Sequence, residues 1–177
     1  QRPVPFGQAD LLSEMNAAGV DGAVIVPPSW EGEYNDLGLA AAQAYPKRFA
    51  VMGRIDPQLP ASRGRLADWR KQPGMLGIRL SLNAQLSLFT EGHLDWFWGE
   101  AEKCGVPVYL LISHSRVHLI DKIAQDHPAL KLVMDHMALT GHDKDEKAFR
   151  DFDQVLAIAK RPNVAAKVSA LPCFSTD

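Results

Sequence analysis

A parallel α/β fold is what this sequence predicts, and three observations carry the prediction. Short apolar runs begin near Ala23, Phe49, Leu76, Val106, Leu130 and Val164, spaced by about 24 to 34 residues, the size of a strand, loop, helix and loop repeated. Each run except the last is followed by a segment of helical periodicity. The runs Val24-Ile25-Val26, Ala50-Val51-Met52, Val108 to Ile112 and Leu132-Val133-Met134 are continuously apolar rather than alternating, as expected of parallel strands covered on both faces.

The helices follow in order. Leu11, Leu12, Met15 and Ala18 recur at helical spacing and stop at Gly19. Asn35 stands where an N-cap would open the helix that ends near Pro46. Leu94, Phe97, Trp98, Ala101 and Cys104 share one face before the breaker Gly105, which makes Cys104 core filler. Val117, Ile120, Ile123 and Ala124 lead to Pro128, and Phe149, Phe152, Val155, Leu156 and Ala159 lead to Pro162. No Ser/Gly linker or low-complexity tract divides the chain, so one domain over residues 1–177 is expected.

Composition excludes several classes of function. A hydrophobic content of 46% with 23% charged residues suffices for a substantial core and argues against disorder. The net charge of -2 provides no basic stripe, so neither nucleic acid nor anionic membrane is an expected partner. No apolar run approaches the roughly 18 to 20 residues that span a bilayer, and residues 1–5 lack the apolar segment of a signal peptide. A soluble, cytoplasmic protein is the expectation. Cys104 and Cys173 are too few and too far apart for a disulfide scaffold or a Cys-rich metal site.

Six such strands suit either an open doubly wound sheet or most of an eight-stranded barrel. No G-x-G-x-x-G follows a strand and no G-x-x-x-x-G-K-[ST] occurs, which weakens the nucleotide-binding forms of the open sheet. A barrel typically takes about 250 residues and at least about 200, so the chain falls short by about two strand-helix units. The barrel reading therefore requires a fragment lacking the first and last units.

Polar residues gather where the runs end. His136, with Asp135 before it, closes the run from Leu130 and is the only histidine inside an apparent strand, which suits either a catalytic imidazole or a bonded core one. By strand parity Met134 and His136 share one face, Asp135 takes the other, and Lys167 shares a face with Ser169. Asp135 and Ser169 are expected as supports that orient neighbours. Arg79 follows Gly77-Ile78 in an apolar strand, where its guanidinium needs an anion: a substrate carboxylate, or an internal partner such as Asp56. Trp30, after two prolines, suits a pocket mouth or an aromatic packed on a loop. Lys167 reads as an ion-pair partner more than a nucleophile. His93, His118 and His127 read as solvent-exposed, and His114 and His142 as loop histidines near strand ends. No H-x-H, H-E-x-x-H or carboxylate cluster occurs, so the sequence contains no complete metal cage.

The segments DLLSEMNAAGVDGAVIV (10–26), RFAVMGRIDP (48–57), GIRL (77–80) and LVMDHM (132–137), in this order and spacing, resemble the amidohydrolase-related (amidohydrolase 2) family. That family of (β/α)8 barrels includes lactone hydrolases of aromatic degradation and nonoxidative decarboxylases. The resemblance implies a TIM-barrel type of α/β fold, incomplete here, with the six runs as barrel strands two to seven. Members typically carry an H-x-H metal pair on the first strand, a metal His on the fifth, a catalytic His on the sixth and an Asp on the eighth. His136 matches the sixth-strand His, whereas the fifth-strand position, four residues beyond Pro107, is Leu111.

The resemblance thus implies a divalent metal such as zinc, with ligands mostly outside this chain. Leu111 points instead to a subgroup with fewer or no metal ligands, or to His114 serving from a shifted position. The expected activity is hydrolysis of a small carboxylated substrate such as a lactone, with His136 as general base or carbonyl polariser and Arg79 and Trp30 as substrate-binding residues. A nonoxidative decarboxylase on the same fold and a catalytically silent, ligand-binding barrel are the alternatives. A homo-oligomer is compatible with all three.

Overall fold

Six parallel strands lie side by side in chain order in the computed structural model, which describes residues 5–83, 86–139 and 143–176. They are β1 (Ala23–Ile25), β2 (Phe49–Gly53), β3 (Met75–Ser81), β4 (Val108–Leu111), β5 (Leu132–Met134) and β6 (Val164–Ala166). The helices between and before them are α1 (Gln8–Ala17), α2 (Asp36–Ala44), α3 (Ser62–Arg65), α4 (Leu86–Thr90), α5 (Asp95–Lys103), α6 (Val117–Asp126) and α7 (Phe152–Ile158). The order is that of an incomplete (β/α) barrel, in which consecutive strands neighbour one another through helical crossovers. No helix among the described residues is long and apolar enough to cross a membrane.

Two strands start later than the apolar runs do. Val106 and Leu130 are buried, yet their amides still bond back to Ala101 and His127 at the ends of the preceding helices. Pairing in the sheet therefore begins at Val108 and Leu132.

Side chains pointing outward from the sheet make the core. Phe49, Val51, Ile78, Leu80, Val108, Leu110, Leu132 and Met134 are buried against Phe97, Trp98 and Ala101 of α5 and Val117, Ile120, Ile123 and Ala124 of α6. Burying each large aliphatic side chain of this set contributes roughly 1.5–3 kcal/mol. Cys104 packs on the same cluster, as its helical spacing predicts. In α7 the face runs through Val155 and Ile158, while Phe149 and Leu156 are exposed, because the left-handed residue Asp151 (φ 61) starts the helix two residues after Phe149.

The inner face differs from the expectation of full cover. Parallel register aligns Arg79 with Tyr109, Tyr109 with Val133 and Val133 with Ala165 across this face. Val24 is 43% exposed and the others are half-buried or exposed, since six strands leave the inner side open. The floor near β2 and β3 is the closed part. A Cβ on Gly77 would meet the Pro107 carbonyl oxygen, and would lie 2.8 Å from Cε of Met52, so only glycine lets the buried Met52 fill this floor below Arg79.

Candidate active site

The carboxyl ends of β3, β5 and β6 bring three charged inner-face residues together. Asp135, 1% exposed, accepts a hydrogen bond from Nε of Arg79 on Oδ2 at 2.9 Å and takes the Lys167 Nζ beside Oδ1 at 3.0 Å. The partner of Arg79 is therefore Asp135, not Asp56, whose carboxylate accepts the Gln58 amide of its own turn at 2.9 Å. Lys167 also lies 5.8 Å from the ring centroid of Tyr109, and burial, with the Asp135 charge second, pushes the Tyr109 phenol above its ordinary range.

His136 does not continue the strand. β5 ends at Met134, and His136, Met137 and Ala138 follow with φ of 54°, 53° and 60°. Three consecutive left-handed residues without a glycine cost roughly 1–3 kcal/mol each, so the surroundings must hold them. Here the Met137 amide donates to the Lys167 carbonyl and the Leu139 amide to the His136 carbonyl. Parity with Met134 consequently does not place His136. The turn carries its ring to Ser169, whose Oγ lies 2.8 Å from Nδ1. Burial is the main cause that holds the His136 pKa below its ordinary value. The Asp135 charge opposes this, the Lys167 charge adds to it, a backbone hydrogen bond with Ser169 opposes and the Arg79 charge adds.

The other predicted residues are dispersed. Trp30 sits in a short turn and is 85% exposed, although its neighbours Ser29, Gly32 and Glu33 line a cavity of about 220 Å³ with Arg54, Ile55, Asp56, Leu80 and Ser81. His114 turns Nε2 toward Asp151 at the start of α7, at 3.7 Å. His127 is half-buried with its Nδ1 3.1 Å from Glu102, not solvent-exposed as its helix position suggested. His142 lies outside the described residues. A larger hollow of about 500 Å³ lies between α6 and α7, but on the outer helical layer, away from these strand ends.

Arg54 is the residue that sequence reasoning passed over, because R-I-D-P reads as a turn. Its backbone is bracketed by Asn35, whose Oδ1 accepts the Arg54 amide at 2.7 Å and whose Nδ2 donates to the Arg54 carbonyl at 3.0 Å. Asn35 thus occupies the N-cap position of α2 without capping it.

These donors do not suit a metal ion. Both oxygens of Asp135 face cations, Nδ1 of His136 faces Ser169, and among the described residues no three His, Cys, Asp or Glu side chains converge.

A family model described as amidohydrolase matches residues 1–177. The chain belongs to the amidohydrolase family. Among solved structures, its fold matches a probable 2-pyrone-4,6-dicarboxylic acid hydrolase from Acinetobacter baumannii with citric acid bound, at 20% identity and a TM-score of 0.79, over 99% of this chain and 65% of that one. An amidohydrolase from Burkholderia multivorans with bound zinc matches at 19% identity and a TM-score of 0.78, over 97% of this chain and 61% of that one. A 5-carboxyvanillate decarboxylase from Novosphingobium aromaticivorans with bound manganese matches at 20% identity and a TM-score of 0.60, over 77% of this chain and 51% of that one. This amidohydrolase chain thus spans about half to two thirds of the length of these structures. No curated protein matches its sequence.

Proposed function

We propose that this chain carries the carboxylate-binding and proton-transfer part of an amidohydrolase-type hydrolase acting on a small carboxylated ester such as a lactone. The supporting observation is the convergence of Arg79, Asp135, Lys167, His136 and Ser169 at the carboxyl ends of parallel strands, where barrels of this type carry chemistry. The Acinetobacter neighbour adds support, because its named substrate is a pyrone, a cyclic ester bearing carboxylates.

In this reading Asp135 aligns Arg79 through Nε, and the terminal guanidinium nitrogens take the substrate carboxylate. Asp135 acts through Arg79 and is a positioning residue. The lowered pKa keeps His136 neutral at neutral pH. The sense of the Ser169 hydrogen bond then selects its task. With the hydroxyl donating to Nδ1, Nε2 carries the proton and polarises the ester carbonyl; with Nδ1–H donating to Oγ, Nε2 takes a proton from the attacking water. The described residues form no metal cage, and no step is routed through a metal.

The decarboxylase neighbour favours a second reading, loss of carbon dioxide from an aromatic acid at the same site. A panel of lactones and aromatic acids, assayed for acid release and for carbon dioxide, separates the two. His136→Ala should lower lactone turnover by about 10²–10⁴-fold with an unchanged circular dichroism spectrum. Near-normal turnover in that variant sinks the role of His136.

A further inference from the structure

Lys167 is the charged inner-face residue for which the hydrolysis described above has no task. Ala165 pairs with Val133 on the inner face, so Lys167, two residues on, projects from the same face just beyond the end of β6. Its amide donates to the Met134 carbonyl at 2.8 Å, and its carbonyl accepts the Met137 amide at 3.2 Å. Two residues further along, Oγ of Ser169 meets the His136 ring at 2.8 Å. One short stretch, 167–169, therefore carries the ammonium and also holds the left-handed turn and the imidazole.

The ammonium is balanced in charge but is not spent as a donor. Nζ lies 3.0 Å from Oδ1 of Asp135, yet that buried oxygen receives no aligned hydrogen bond, and the other oxygen accepts from Nε of Arg79. Among the described residues no other acceptor is aligned with Nζ. Tyr109, with its ring centroid 5.8 Å away, offers a neutral neighbour: burial, and then the Asp135 charge, push its phenol up, so it stays protonated at neutral pH. The Asp135 side chain is 1% exposed, whereas that of Lys167 is 33% exposed on the open inner side. Two cations on one carboxylate leave one positive charge in surplus, and the N–H groups that carry it are free. The Lys167 charge also favours the neutral form of His136, the form a base requires.

We propose that Lys167 is a further catalytic residue, its ammonium donating to the ester carbonyl oxygen and holding the negative charge that forms there, which leaves His136 as the general base. The inference rests on the hydrolase reading given above. Water adds to the carbonyl carbon while Nε2 of His136 takes its proton, and the π pair of the carbonyl moves to the oxygen held by Lys167. The pair then returns, the C=O bond forms again and the bond to the ring oxygen breaks. The proton on Nε2 passes to that ring oxygen, which releases a hydroxy acid and returns His136 to its neutral form. Lys167 keeps its proton throughout. In this division of tasks Nδ1–H of His136 donates to Oγ of Ser169.

Steady-state kinetics of Lys167→Met on the lactone that the wild type turns over fastest test it, together with calorimetric binding of two unreactive analogues of that lactone: a cyclic phosphonate, tetrahedral and anionic at the reacting centre, and the neutral lactam. In Lys167→Met kcat should fall about 10²–10³-fold with KM little changed. The phosphonate should bind the variant at least about tenfold more weakly than the wild type, the loss of one charge-assisted contact, while the lactam binds both alike. A kcat near that of the wild type overturns the role. So does an equal loss of affinity for phosphonate and lactam, which is the behaviour of a residue that only pairs with Asp135. If Lys167→Met does not fold, Lys167→Arg, which keeps the charge beside Asp135 and moves its donors, must still lower kcat by about tenfold; an unchanged kcat overturns the proposal. A wild type that hydrolyses no lactone sinks the hydrolase reading and this inference with it, whereas an inactive His136→Ala beside an active Lys167→Met sinks only the role of Lys167.

Discussion

The two faces of the same six strands differ in what holds them. On the outer face Ile78, Leu80, Val108, Leu110 and Leu132 are buried among α5 and α6, and non-directional packing secures them. On the inner face, one residue along each strand, Arg79, Asp135 and Lys167 are secured by charge, with one carboxylate between two cations. The alternation of side chains lets one strand serve stability and chemistry at once, and the two tasks should separate under mutation.

The largest effect is expected from Asp135→Ala, which leaves two adjacent cations without their buried counter-charge and should cost about 4 kcal/mol in a urea unfolding curve. It should also weaken carboxylate binding. An unfolding curve like the wild type would show that the inner face does not depend on this carboxylate. Next comes Leu110→Ala on the outer face, which should cost about 3 kcal/mol through a cavity while leaving ligand affinity unchanged in the folded fraction. A tenfold change in affinity there would break the separation of faces. Its inner neighbour offers the control: Leu111→Ala, at a half-buried position, should cost under about 1 kcal/mol, and a larger loss would show that the inner face is packed like the outer one.

A pH profile supplies the smallest test. Because the His136 pKa is lowered, the acid limb of kcat/KM should lie below the ordinary imidazole value of 6.5. The unfolded chain binds the proton more readily than the fold does. The associated stability is therefore complete above that value and declines as pH falls from it through the folded pKa. The opposing Ser169 contribution comes from its backbone, which Ser169→Ala keeps, so that variant should leave the limb below 6.5; a limb moved to 6.5 or above would show that the hydroxyl at Nδ1, and not burial, holds it there.

Much of this was legible in the order of residues. Apolar runs announce buried strands whatever lies around them, so β1 to β6 fall within a few residues of the runs from Ala23 to Val164. The family resemblance drawn from residues 10–26, 48–57, 77–80 and 132–137 agrees with the family match and with the incomplete barrel. Lys167 as an ion-pair partner was readable too. The turn at His136 was not, because Met137 and Ala138 carry no turn chemistry and their left-handed backbone is held by tertiary contacts with Lys167. Nor was the partner of Arg79, since the Asp135 it meets lies two strands away in the sheet. Arg54 stayed hidden for a related reason: its buried Nη1 lacks an acceptor among the described residues, and a sequence records no absences of that kind.

The double hydrogen bond from Asn35 has a consequence for time scales. Arg54 lies one residue past the end of β2, where amides ordinarily fray and exchange with solvent deuterium quickly. Here the amide is tied at 2.7 Å to a side chain that is itself buried, and the carbonyl is tied back to the same side chain. The Arg54 amide should therefore exchange as slowly as those inside β2. Its guanidinium would then be attached to a backbone that stays still for as long as the sheet does.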